Sequence, residues 1–164
     1  KIPRMAVINA SGANTLYRLF NGHFENEKLR WDDGIPNFNL IQNLYDKMLE
    51  DESLKPKTKA TAIQIGKPAN ITKGLRALDF TNGVVEEVTD TEMLDGMSVV
   101  GLNGFDCEMA SGASVAGIKK LRDKEIIKKD DKVVGILTGR QKEPLLPIDY
   151  HNDPANKFAR PPNN

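Results

Sequence analysis

In this 164-residue chain Thr138, Cys107 and the two histidines are the residues whose types and settings first raise the question of chemistry. Thr138 ends the apolar run Lys132-Val133-Val134-Gly135-Ile136-Leu137 and is followed by Gly139 and Arg140. A continuous apolar run without alternation suits a strand covered on both faces. Ligands of open α/β sheets collect where strands end and backbone groups become free, which makes Thr138 a candidate ligand contact. A Thr-Gly pair can equally do no more than turn the chain out of the sheet. The single cysteine, Cys107, excludes an intramolecular disulfide or a thiolate cluster. It reads as a small core residue, because a nucleophilic thiolate needs a histidine or cation beside it and only His23 and His151 are available. Two histidines are too sparse for a metal site, and surface or loop roles suit both.

A further stretch, Ala110-Ser111-Gly112-Ala113-Ser114-Val115-Ala116-Gly117, concentrates small residues at the entry to a helix continued by Ile118 and Leu121. Small side chains permit very close approach to a sheet, a cofactor or another helix. They also leave the helix's first N–H groups open to an anion. Close packing is the plainer reading of the two.

The elements that must position these residues alternate between strand and helix. Residues 4–10 form a strand closed by Ser11-Gly12, and Ala13 to Phe20 a helix with Leu16, Leu19 and Phe20 on one side. His23 to Pro36 is polar and irregular, anchored by Trp31 and Ile35. Asn37 can cap a helix carrying Ile41, Leu44, Tyr45 and Met48. Residues 60–66 read as a short strand or turn. A helix from Asn70 or Thr72 follows, with Ile71, Leu75 and Leu78 at helical spacing and a stop at Asn82-Gly83. Val84 to Val88 is a strand, and Thr89 with Glu92 a capping box opening a helix whose buried face is Met93, Met97 and Val100. Phe105 to Met109 is a brief strand, and Lys124 to Asp131 a charged loop before the strand 132–138. Beyond Arg140 a tail rich in Pro and Asn, with Leu145, Leu146, Ile148, Tyr150 and Phe158 as anchors, lies extended over a neighbour. The alternation predicts an α/β fold, three layers around a largely parallel sheet. We assign residues 1–142 to the α/β domain, with an insertion near 23–55, and residues 143–164 to the tail.

Hydrophobic content of 39% with 28% charged residues is ordinary for a soluble domain. Lys plus Arg, at 23, balances Asp plus Glu, at 23, which gives no footprint for nucleic acid. No apolar run is long enough to span a bilayer and no signal peptide precedes the first strand, so no membrane association and a cytoplasmic location are expected. The chain begins at Lys1 and is in a strand almost at once, which suggests a piece of a longer polypeptide.

Three segments taken together are more specific than any one. They are Ile2-Pro3-Arg4-Met5-Ala6-Val7 with Ser11-Gly12-Ala13-Asn14, then Ala60 to Pro68, then Glu108-Met109-Ala110-Ser111-Gly112-Ala113-Ser114, with Leu137-Thr138-Gly139 closing the core. Leu75-Arg76-Ala77-Leu78 and Gly83 to Asp90 lie between them in the same order. This series resembles the C-terminal half of the threonine synthase family, pyridoxal-phosphate enzymes of the tryptophan-synthase-β-like fold (fold type II), over about residues 2–140.

The resemblance implies conversion of O-phosphohomoserine and water to threonine and phosphate. It also implies pyridoxal 5'-phosphate as cofactor, held by a Schiff-base lysine and a glycine-rich phosphate loop in an N-terminal half. Neither motif occurs in this chain, so the piece alone is expected to be inactive and to need that missing half. Relatives of this kind are commonly dimers, which makes a homodimer the expectation. The threonine of the Leu-Thr-Gly motif maps onto Thr138 and would hydrogen-bond the pyridine nitrogen. A neutral hydroxyl need not keep that nitrogen protonated, which suits elimination and replacement over transamination. By the same resemblance Ile65 and Gly66 would border cofactor or substrate through backbone, and Glu108, Ala110 and Ser111 would lie close to the ring. No residue of this chain is implied as the catalytic lysine and none as a metal ligand.

The chain departs from the family pattern at Gln64 and Lys67 of Gln64-Ile65-Gly66-Lys67-Pro68, where many relatives have Arg and Asn, and at Met109, where they have Pro. Arg140 stands where His is frequent. Gln64 removes a fixed cation, which leaves open a threonine or serine dehydratase or a cysteine-synthase relative. A non-catalytic module for regulation or assembly is the reading from outside the enzymes.

Overall fold

The computed structural model describes residues 2–23, 42–43, 46–47, 50–51 and 55–140. The chain forms two compact units, Lys1–Glu87 and Val88–Asn164. The helix expected around Ile41 to Met48, the anchors Trp31 and Ile35, most of the 23–55 insertion and the 143–164 tail lie outside the described residues.

In the first unit, β1 (Ala6–Ala10) leads through a 3-10 turn, Ser11–Ala13, into α1 (Thr15–His23). Leu19 of α1 is fully buried, and the Asn21 side-chain amide donates to the Val85 carbonyl at 3.1 Å. The α1 helix thereby packs beside the strands. Residues 60–66 are not a strand: a single 3-10 turn, Thr61–Ile63, stands there, and Ile65 N–H closes back on the Ile63 carbonyl at 2.8 Å. Next, α2 (Ile71–Phe80) buries Leu75 and Leu78, as their spacing predicts.

The α2 stop falls at Asn82-Gly83, as the sequence predicts. Asn82, at φ 49°, takes the left-handed position, while Gly83 N–H bonds the Leu78 carbonyl at 2.6 Å and Asn82 N–H the Asp79 carbonyl at 3.1 Å. This is a Schellman closure with asparagine in place of glycine. From it β2 (Val84–Val88) runs beside β1 in a two-stranded sheet. Val84 N–H bonds the Met5 carbonyl at 3.0 Å, so both strands start from the same end and run parallel. The α/β class read from the alternation holds.

In the second unit, α3 (Asp90–Leu102) opens on the predicted capping box. Thr89 Oγ1 accepts from Glu92 N–H at 3.2 Å, and Glu92 Oε2 accepts from Thr89 N–H at 2.6 Å. Met93, Met97 and Val100 are buried, again as predicted. The brief strand expected at Phe105 to Met109 is absent. Gly104 at φ 81° turns the chain, Phe105 is exposed, and Met109 already begins α4 (Met109–Asp123).

The small-residue run settles inside α4 and packs on α3. A β-carbon on Gly112 would overlap the Met93 carbonyl, and one on Gly96 would overlap the Gly112 carbonyl. The two helices touch backbone to backbone, so the close approach that the small residues permit is to another helix.

The run 132–138 is extended but is not a buried strand. Val134 is 86% exposed and Ile136 65%, and no strand pairs with it among the described residues. It lies on α4, with Gly135 against the end of the Ile118 side chain and the Ile136 carbonyl accepting from Ser114 Oγ at 3.0 Å. Apolar content made the run a candidate for burial, but burial needs neighbours on both faces, and the described residues supply one. No helix among the described residues is long and apolar enough to cross a membrane.

Candidate functional site

The start of α4 and the end of the extended run meet in the second unit. Glu108 is the N-cap of α4, with no side-chain capping bond, which leaves its carboxylate for other contacts. Its backbone N–H donates to the Gly139 carbonyl at 3.0 Å, fixing the Thr-Gly pair against the first turn. Ser111 lies in that turn, its N–H on the Glu108 carbonyl at 3.0 Å and its side chain 0% exposed.

Around Ser111 Oγ the contacts are dense. It accepts from Gly139 N–H at 3.1 Å and lies 3.2 Å from Thr138 Oγ1 and 3.3 Å from the Gly139 carbonyl. Thr138 Oγ1 in turn donates to Glu108 Oε1 at 3.4 Å. Glycine at 139 leaves room for the Glu108 carboxylate, since a β-carbon there would stand 2.5 Å from Glu108 Oε1 and 2.7 Å from its carboxyl carbon and would push that side chain aside.

Thr138, Glu108 and Ser111 are therefore one cluster, in which Ser111 is buried and Thr138 exposed. Arg140 Nε stands 3.8 Å from Asp106 Oδ2 with both side chains largely in water, a contact worth little. Ser114, present in the small-residue run but without an expected site role, joins this cluster's support. Its spacing of three from Ser111 places both hydroxyls on one helical face, where both hold the extended run.

Ile65 and Gly66 belong to the first unit. Ile65 is 49% exposed, and the Gly66 carbonyl accepts from the Thr15 hydroxyl at 2.7 Å. Gly66 also lies close to Pro56, whose Cγ a β-carbon would meet at 3.0 Å. Cys107 is buried in the cluster with Met97 and Val100. Burial first, and then the charges of Asp106 and Glu108, push its thiol above the ordinary cysteine range, which suits a core residue and opposes a thiolate. The His23 side chain and His151 lie outside the described residues.

A hydroxyl braced by a buried serine, whose one proton is held by a long, exposed bond to Glu108 at 3.4 Å, can exchange that bond for one to an uncharged acceptor. The nitrogen of an unprotonated pyridine is such an acceptor, so the residues present fit a pyridine cofactor at Thr138.

Comparison with known proteins implies the same cofactor. The family model of the pyridoxal-phosphate dependent enzymes matches residues 1–139. A threonine synthase of Methanosarcina acetivorans is 34% identical over 94% of this chain and 41% of its own length. One of Methanocaldococcus jannaschii is 33% identical over 94% of this chain and 33% of its own length. Threonine synthase 2, chloroplastic, of Arabidopsis thaliana is 30% identical over 99% of this chain and 28% of its own length. The chain thus spans about two-fifths or less of these relatives. The match along residues 1–139 makes the chain a member of the pyridoxal-phosphate dependent enzyme family.

Proposed function

We propose that this chain is the C-terminal portion of a cytoplasmic threonine synthase, which converts O-phosphohomoserine and water to threonine and phosphate. Three relatives named threonine synthase, similar along nearly the whole of this chain, support the assignment. The observation that carries it is the braced, outward hydroxyl of Thr138 beside Ser111 and Glu108. Bound pyridoxal phosphate would supply an electron sink for elimination and replacement at the substrate's carbon chain.

The residues of this chain would then do the positioning. Thr138 donates to the ring nitrogen without charging it, and Glu108 and Ser111 stand around that contact. Ile65 and Gly66 border cofactor or substrate through backbone, with the Gly66 carbonyl tied to Thr15 and thereby held in place. The remainder of the site, including any lysine bonded to the cofactor, would come from polypeptide of the kind that the relatives carry beyond this chain. The complete enzyme would be a homodimer, and this piece alone would be inactive.

The test is phosphate release from O-phosphohomoserine by the complete protein, against deamination of threonine and serine. Replacing Thr138 by Ala should lower turnover about 10-fold or more, as for loss of one hydrogen bond to a reacting cofactor. Deamination without phosphate release would move the assignment to a dehydratase. Unchanged turnover and cofactor absorbance in Thr138→Ala would remove the ring-partner role.

A further inference from the structure

We infer that Ser111 is a positioning residue that fixes the direction of the Thr138 hydroxyl, making Thr138 a permanent donor toward its open side. The inference rests on the proposed role of Thr138 and deepens it.

A hydroxyl has one proton to give and two lone pairs to receive with. At Ser111 one lone pair is taken by Gly139 N–H at 3.1 Å, because an amide can only donate. At Thr138 the proton goes to the Glu108 carboxylate at 3.4 Å, because a carboxylate can only accept. The 3.2 Å contact between the two hydroxyls is then attractive in one arrangement alone, with Ser111 donating to Thr138. If Ser111 gave its proton instead to the Gly139 carbonyl at 3.3 Å, the two hydroxyl oxygens would face each other lone pair to lone pair. That carbonyl also already accepts Glu108 N–H at 3.0 Å.

The result is a one-way series from Gly139 N–H through Ser111 and Thr138 to Glu108. An irreversible donor stands at one end and an irreversible acceptor at the other, and each bond polarises the next. Ser111 is 0% exposed, so no solvent water can take over its part. The outermost link is the longest, and it is exposed. Glu108 is accordingly the member that an uncharged acceptor would displace, and a ring nitrogen taking its place finds the Thr138 proton already aimed outward. Ser111 itself touches no ligand; it acts through Thr138.

The test uses the complete protein, freed of cofactor and titrated with pyridoxal phosphate, with binding followed by cofactor absorbance. Parent, Ser111→Ala, Thr138→Ala and the double variant are compared, with hydrogen exchange of the Gly139 amide measured before cofactor is added. Each single change should weaken binding about 10-fold, as for loss of one hydrogen bond. The double variant should bind within about two-fold of Thr138→Ala, because Ser111 acts through that residue. The Gly139 amide should exchange several-fold faster in Ser111→Ala. Parental affinity in Ser111→Ala, or single effects that multiply in the double variant, overturns the inference while leaving Thr138 as ring partner. Parental affinity in Thr138→Ala overturns both. Should Ser111→Ala fail to fold, Ser111→Cys keeps a weak donor in place. An intermediate loss of affinity at unchanged melting temperature then supports the inference, and parental affinity overturns it.

Discussion

Two stretches of the second unit, Ala110–Gly117 and Lys132–Leu137, reverse what their residue types suggest. The first has hardly a large apolar side chain, yet Ala110, Ser111, Gly112, Ala113, Ala116 and Gly117 are all buried. The second is almost wholly apolar, yet Val133, Val134, Ile136 and Leu137 are all exposed. The difference lies in the neighbours. Residues without bulk let the α3 backbone settle directly on α4, so contact is made with main chain rather than side chains. The apolar run has α4 on one side and no paired strand on the others among the described residues. Hydrophobicity states what a segment gains when covered; only tertiary structure decides whether anything covers it.

The sharpest way to break this comparison is to restore bulk where the helices touch. Gly112→Val would drive a branched side chain into the Met93 carbonyl, which cannot withdraw without parting α3 from α4, and against the Met97 side chain. The expected loss is about 3 kcal/mol of unfolding free energy, at the upper end for overpacking. Gly101→Ala, in α3 but with nothing within 4 Å of the added carbon, should be neutral or stabilise by up to about 1 kcal/mol. Urea titration of both variants checks the pair. Equal effects would mean that the glycines on α4 carry no packing role.

What was legible in the sequence follows the same division. β2 at 84–88, the Thr89/Glu92 box and the Met93-Met97-Val100 face were readable because each is fixed by residues within two turns of one another. The α2 stop stands at the expected Asn82-Gly83 pair, with Asn82 in the left-handed position that asparagine tolerates better than most side chains. At 60–66 the turn of the two alternatives holds, whereas 105–109 and 132–138 do not form the strands expected of them, because an apolar or β-branched run becomes a strand only where another strand is there to pair with it. At the site, strand-end reasoning singled out Thr138, whereas Glu108 and Ser111 came from family resemblance. Their meeting across the gap between residues 111 and 138 is a tertiary fact. The hold of Ser114 on the Ile136 carbonyl is another, because nothing local to either residue signals it.

A smaller effect tests how α3 and α4 are joined at their polar edge. Burial alone would raise the Glu92 carboxyl, but the Thr89 backbone and hydroxyl, with Lys120 at 3.6 Å on α4, outweigh it and hold the group below its ordinary value. A carboxyl whose pKa is lowered by folding contributes its full stability above the ordinary carboxylate range. It loses that contribution as pH falls through the lowered value. Glu92→Gln should therefore be less stable than the parent at neutral pH, with the gap closing in acid. Thr89→Ala, which removes the cap hydroxyl, should cost about 1 kcal/mol. Unfolding measured for both variants from neutral pH down to pH ~3 would expose the error if the Glu92→Gln gap stayed constant.

The smallest expected effect lies on the other side of the comparison. Val134 is 86% exposed, so Val134→Lys removes almost no buried surface and places a charge where water already is. Its unfolding free energy should stay within about 0.5 kcal/mol of the parent, as for surface changes in general. The added lysine should also reduce self-association of the chain, since an apolar run that pairs with no strand among the described residues is a template for edge-to-edge pairing and a charge on it is the natural deterrent. Light scattering against concentration reads the second effect independently of stability. A loss above about 1 kcal/mol would mean that the outer face of the run is covered after all. The two stretches would then differ in composition but not in burial, and the contrast between them would vanish.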